Sequence, residues 1–274
     1  NMPKFTEVLR NRNLFLLWLG QIISQLGDRL GQMALIGFIP SDSPGSGMQL
    51  AKLLSFTILP VFLIGPVAGV YVDRWDRRRT MYASDFIRTV LTLLIPLFLF
   101  SRDSLGLIYL LIFIIFSIGR FFVPAKLSII PELVKKEELL IGNSLVNITG
   151  MIAAIAGFGI AGLIVEYLGA KAGFYLDALT FFISAALIFC ISSNKTPKIK
   201  IRQVGREIVE VIRKSVIQEV KEGLIYFIKQ KEVRFIGLIM FLLGAAGGSV
   251  YILGIVFIRQ TLKSLTLDLG FLIM

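Results

Sequence analysis

The sequence predicts an all-α membrane protein, a bundle of about seven spans with a basic loop between the second and third. Three observations carry this. Apolar residues make up 55% of 274 residues and mean hydropathy is +0.80, more than one soluble core could bury. Apolar runs of about 20 residues recur along the chain, the length that crosses a bilayer at about 1.5 Å rise per residue. Lys and Arg alternate in density from one connector to the next.

The spans fall at 14–39, 51–72, 81–100, 105–124, 142–166, 172–192 and 233–258. The first run is too long for a signal-peptide core, lacks a small-residue cleavage site and is followed by more of its kind, so it reads as a retained span. Polar or Gly/Pro punctuation separates the runs: Ser41-Asp42-Ser43-Pro44-Gly45-Ser46-Gly47, the basic loop 73–80, a tight turn at 101–104 and a basic stretch through 131–138.

Connectors on one side carry 22 Lys and Arg and those on the other side 4, which puts the N-terminus in the cytoplasm. The formal charge of +11 is therefore a topology signal, and nucleic acid is not an expected partner. Lys52 can snorkel from a helix end, while Arg29 and Arg88 lie within spans.

Within 205–230, Val209, Ile212, Val216, Val220, Leu224 and Ile228 recur at three- or four-residue spacing among charged residues. This is an amphipathic helix, expected on the cytoplasmic membrane surface as a connector. The expected organisation is a six-helix half over 1–192, a connector over 193–232, and the start of a second half over 233–274, with the chain ending inside an eighth span.

One cysteine excludes an internal disulfide, and no histidine is present. No metal-ligand cluster and no nucleophile beside a base are visible, so neither an enzyme nor a cofactor or metal site is expected.

Asp28 and Arg29 sit mid-span, where each charge costs about 2.5–3.5 kcal/mol on an insertion scale. Neighbours on a helix project about 100° apart, so the two must look toward different surroundings. They either border a central pathway or anchor helices that approach closely at Gly27 and Gly31. Asp28 is the candidate for proton or substrate coupling; Arg29 is open to either role. Asp85 and Arg88 are three apart in the third span, near its cytoplasmic end, and are expected to pair structurally. Asp177 and Glu166 lie near outer helix ends and are expected to be solvated, Asp177 with help from a helix dipole. Gly150, Gly157, Gly159 and Gly162 let the fifth span pack closely against another helix.

The second span ends in Gly65-Pro66-Val67-Ala68-Gly69-Val70-Tyr71-Val72-Asp73-Arg74-Trp75-Asp76-Arg77-Arg78-Arg79. From Gly69 this resembles the loop signature of the major facilitator superfamily, with Gly69, Asp73, Arg74, Arg77 and Arg78 matching and Asp76 standing where the pattern has glycine. Trp18-Leu19-Gly20-Gln21, Gly27-Asp28, Pro60, the Asp85/Arg88 pair, Phe122-Val123-Pro124-Ala125 and Glu222-Gly223-Leu224 together resemble its macrolide- and siderophore-exporter branch.

The resemblance implies two six-helix halves, alternating access, and export of small molecules driven by proton exchange. It assigns the position of Asp73 to an ionic contact with the second half, whose partner would lie beyond Met274. The family's antiporter motif expects glycine, Gly-Pro and Gly-Gly in the fifth span; Gly157 and Gly162 match, while Ala153, Phe158 and Ala161 replace the rest. The expected partners are a small-molecule substrate, the lipid bilayer and the missing C-terminal half, in a bacterial cytoplasmic membrane. Lysophospholipid movement between leaflets is one alternative, and a non-transporting protein or fragment is another.

Overall fold

The computed structural model describes residues 5–39, 46–72, 75–98, 105–192, 221–260 and 268. Asp73 and Arg74 of the loop signature, the amphipathic stretch as far as residue 220, and the start of the expected eighth span lie outside the described residues, apart from Asp268 in the last.

A short helix α1 (Phe5–Val8) leads to α2 (Arg12–Phe38), whose 27 residues extend about 40 Å. Asn11 starts α2 because its side-chain oxygen accepts from the N–H groups of Asn13 (3.1 Å) and Leu14 (3.4 Å), two donors a helix start leaves unpaired. The second span is two helices, α3 (Ser46–Leu63) and α4 (Gly65–Val72), divided at Ile64, with Pro66 near the start of α4 where its missing N–H is harmless. α5 (Arg77–Phe98) begins at Asp76, whose carboxylate accepts from Arg79 N–H at 2.8 Å. The residue that departs from the loop signature thus caps a helix.

α6 (Leu105–Leu133) runs past Pro124, where the sequence reading ends the span, because Ala125, Ile129 and Ile130 continue its buried face. α7 (Leu139–Phe189) joins the fifth and sixth spans through a single non-helical residue, Gly169, at φ 83° and ψ 164°. The chain folds back there, so that a Cβ on Gly173 would sit 3.1 Å from Val165. This backbone conformation is essentially restricted to glycine, and nothing lies within 4 Å of the position of a Cβ on Gly169. Gly169→Ala is therefore expected to cost about 1–3 kcal/mol through backbone strain alone, visible as a lowered thermal midpoint in detergent with unchanged side-chain packing. Residues 221–229 form α8, and α9 (Lys231–Gln260) follows.

Among the described residues five helices are long and apolar enough to cross a membrane by length and composition, and α7 has the length for two crossings. Together with the large apolar side chains on the outside, such as Phe62, Leu97, Met151 and Phe182, this is the surface of an integral membrane protein.

The interior has three layers. One apolar cluster gathers Met33, Ile36, Leu53, Ile112 and Phe174. Another gathers Leu14, Leu17, Met81, Ile130 and Ile188. Between them along α2, α5 and α7 lie the buried polar residues Gln21, Ser24, Ser84, Asp85, Arg88, Thr89, Thr92, Asp177 and Ser184.

Candidate functional site

The polar layer is organised on Arg88. Asp85, Arg88, Thr89 and Thr92 recur at helical spacing on the buried face of α5. The Arg88 side chain is 7% exposed and its guanidinium donates to Asp28 of α2. It also lies 3.6 Å from Asp85 and covers the Phe181 ring of α7 at 3.8 Å from the centroid. Gly119 of α6 leaves room for it, a Cβ there being 3.5 Å from the guanidinium carbon. One cation thus ties α2, α5 and α7 together. Asp85 is fully buried and accepts from Ser184 at 2.6 Å. The expected Asp85–Arg88 pair is present, but Arg88 is shared with Asp28, a contact across 60 residues of chain.

The expectation for Asp177 is corrected: it is buried, not solvated. The fold-back at Gly169 brings the second arm of α7 against α2, so Asp177 faces helix backbone rather than water. A Cβ on Gly31 would overlap the Asp177 carboxylate, and one on Gly27 would overlap Thr180 and stand 2.8 Å from Asp177 Oδ1. Asp177 Oδ1 has no hydrogen-bond partner, and neither do Arg88 Nε and Thr92 Oγ1. A cavity of about 20 Å³ touches all three residues and Asp28.

Gly31→Ala is expected to lower stability by about 1–3 kcal/mol, the usual cost of overpacking, because a buried carboxylate has to shift. Thermal unfolding in detergent checks this, and Gly31→Ala/Asp177→Ala should recover most of the loss.

Asp28 and Arg29 do look in different directions. The Asp28 side chain is 24% exposed and faces Arg88. Arg29 turns toward the first arm of α7, where it donates to Gln32 at 2.7 Å and lies 4.7 Å from the Phe158 ring centroid. Gly157 leaves space for its stem, and Gly150 borders Gln21 of α2. Gly159 and Gly162 are buried as well. The fifth-span glycines therefore sit in the packed part of α7, with Gly157 and Gly150 directed at α2.

Arg77 and Arg78 of the loop signature have partners within the bundle. Arg77 pairs with Glu132 at the end of α6, and Arg78 donates to the Phe189 carbonyl while its guanidinium lies 5.5 Å from the Phe189 ring. A Cβ on Gly69 would meet nothing within 4 Å.

Sequence reasoning did not single out Ser184, Phe181, Thr92 or Arg120. Phe181 and Ser184 follow Asp177 by four and seven residues and Thr92 follows Arg88 by four, so helical spacing from each charge was the available signal. Among the described residues no acidic, cysteine or histidine group has the arrangement to hold a metal ion.

Comparison with known proteins agrees with the geometry. The Major Facilitator Superfamily sequence profile matches residues 17–274. The uncharacterized MFS-type transporter YkuC of Bacillus subtilis is 29% identical over 184 residues, 66% of this chain and 42% of that protein. The uncharacterized MFS-type transporter YfiS of the same organism is 28% identical over 65% of this chain and 42% of its own length. Macrolide efflux protein A of Streptococcus pyogenes is 31% identical over 126 residues, 46% of this chain and 31% of that protein. The chain spans less than half the length of these curated relatives. No solved structure matches it.

Proposed function

The chain belongs to the major facilitator superfamily, and from that premise we propose that it works in a secondary active transporter that exports small amphipathic molecules by alternating access, coupled to proton exchange. The reading places it in a bacterial cytoplasmic membrane with its N-terminus in the cytoplasm, following the Lys and Arg asymmetry of the connectors. A similar protein is named for macrolide efflux, which makes a macrolide a reasonable first cargo.

The observation that carries the proposal is the arginine shared between a partly exposed and a fully buried carboxylate on different helices. A charge pair inside a membrane protein holds only while both members are ionised. A proton arriving at Asp28 cancels its charge, and Arg88 is then held by Asp85, with Asp177 near by. Loss of the Asp28 contact loosens α2 from α5, and its return tightens them. The proton state of one side chain is in this way converted into helix position, the kind of bistable element that alternating access needs.

Substrate-induced proton movement tests this. In proteoliposomes of the natural protein carrying an internal pH dye, a macrolide gradient is expected to drive protons in the opposite direction. Macrolide flux with no accompanying pH change would retain transport and remove proton exchange. Asp73 extends the proposal: its position in the loop signature suits an ionic contact with the second half that closes the cytoplasmic side.

A further inference from the structure

We infer that Arg29 is the recognition point for an anionic group, a carboxylate or a phosphate, on a transported amphiphile; the inference rests on the transport reading above and adds an anionic class of cargo to the amine-bearing macrolide named there.

The two neighbouring charges of α2 have different fates. Asp28 is neutralised by Arg88, and the other carboxylates of the layer, Asp85 and Asp177, are buried. Arg29 is partly exposed and, among the described residues, has no ion-pair partner. Among the described residues its guanidinium donates to the neutral Gln32, its Nε has no partner, and it lies over the Phe158 ring. Gly157 permits this placement, since a Cβ there would stand 2.9 Å from the Arg29 stem.

Phe158 replaces the proline of the antiporter motif, and here its ring holds a cation. The ring and Gln32 fix the guanidinium without cancelling its charge. That pre-organised fork suits a planar carboxylate or a phosphate better than a mobile ammonium would.

A second arginine stands near the polar layer. Arg120 of α6 is also partly exposed, is bonded only to the Phe116 carbonyl at 3.4 Å among the described residues, and acts electrostatically on both Asp28 and Arg88. Among the described residues Arg29 and Arg120 have no ion-pair partner, whereas Arg88 holds Asp28 and Asp85. Leu26 and Phe158 add apolar walls, so an amphiphile with an anionic head fits both features.

Binding to the natural protein in nanodiscs tests this with three C12 probes differing only in head group: dodecyl phosphate, dodecanol and dodecyltrimethylammonium. Labelled probe is measured by scintillation proximity against empty nanodiscs. Dodecyl phosphate is expected to bind about tenfold tighter than the other two, a preference lost in Arg29→Gln and largely kept in Arg29→Lys. Displacement of dodecyl phosphate by lysophosphatidylglycerol placed in the nanodisc bilayer assigns the anion to a lipid head group; without displacement it belongs to a soluble amphiphile.

Equal binding of all three probes, preference for the cation, or a preference unchanged in Arg29→Gln overturns the inference. If Arg29→Gln does not fold, the wild-type ranking decides. Proton-linked flux is measured separately, so absence of transport with the anion preference intact would remove the functional reading alone.

Discussion

Asp28→Asn is expected to lower the proposed proton-driven macrolide export by about two orders of magnitude or more, the kinetic equivalent of losing a buried charge interaction of about 3–5 kcal/mol. Asparagine keeps the size of the side chain, so the fold should survive while the α2–α5 contact stays loosened. It carries no charge and exchanges no proton. Arg88 is left with Asp85 at 3.6 Å as its ion-pair partner, the state proposed for the protonated carrier, and the cycle stalls there. Export down a substrate gradient in proteoliposomes, with and without an imposed pH difference, checks this. Export by the variant that still responds to the pH difference as the wild type does, at every pH, would exclude Asp28 as the coupling carboxylate.

Arg88→Leu has the largest expected effect on folding. The substitution removes the cation that, among the described residues, pairs with Asp28 and Asp85, and leaves Asp177 close to them, in a site where the Asp85 side chain is 0% exposed. Breaking a buried pair from one side costs about 3–5 kcal/mol, because the remaining charge is stranded. A sharp fall in the monodisperse fraction after detergent extraction, and in the thermal midpoint, is the expected result. Arg88→Leu/Asp28→Asn/Asp85→Asn should recover much of both, since replacing all partners of a buried ionic group is often close to neutral. Failure of the triple variant to improve on the single one would point to lost packing on Phe181 instead. Arg77→Ala, at a pair whose side chains are 34% and 20% exposed, is the contrasting case, with an expected cost of at most about 1 kcal/mol.

The fold was largely legible because its main driving force, apolar length, is a local property. The spans at 81–100, 142–166 and 172–192 correspond closely to α5 and to the two arms of α7. Pro124 misled the sequence reading because proline suggests a helix end, whereas the buried face continuing through Ile129 and Ile130 carries α6 onward. Within the site, Asp85 and Arg88 could be paired from spacing alone because three residues bring side chains onto one helix face. The link from Arg88 to Asp28 could not, since it depends on how α2 and α5 lie against each other. Asp177 was misplaced for a related reason. Its distance from a span end suggested water, while its real surroundings are set by the close approach of Gly27 and Gly31.

The seating of α7 on the glycines of α2 also constrains how this sequence can diverge. Positions 27 and 31 share a fixed volume with positions 177 and 180. A larger residue at 31 is accommodated only when 177 shrinks, and a larger one at 27 only when 180 does. Across homologues, residue size at these two pairs of positions should therefore vary in opposite senses, and lineages that lose the buried acid at 177 are the ones free to lose the glycine at 31.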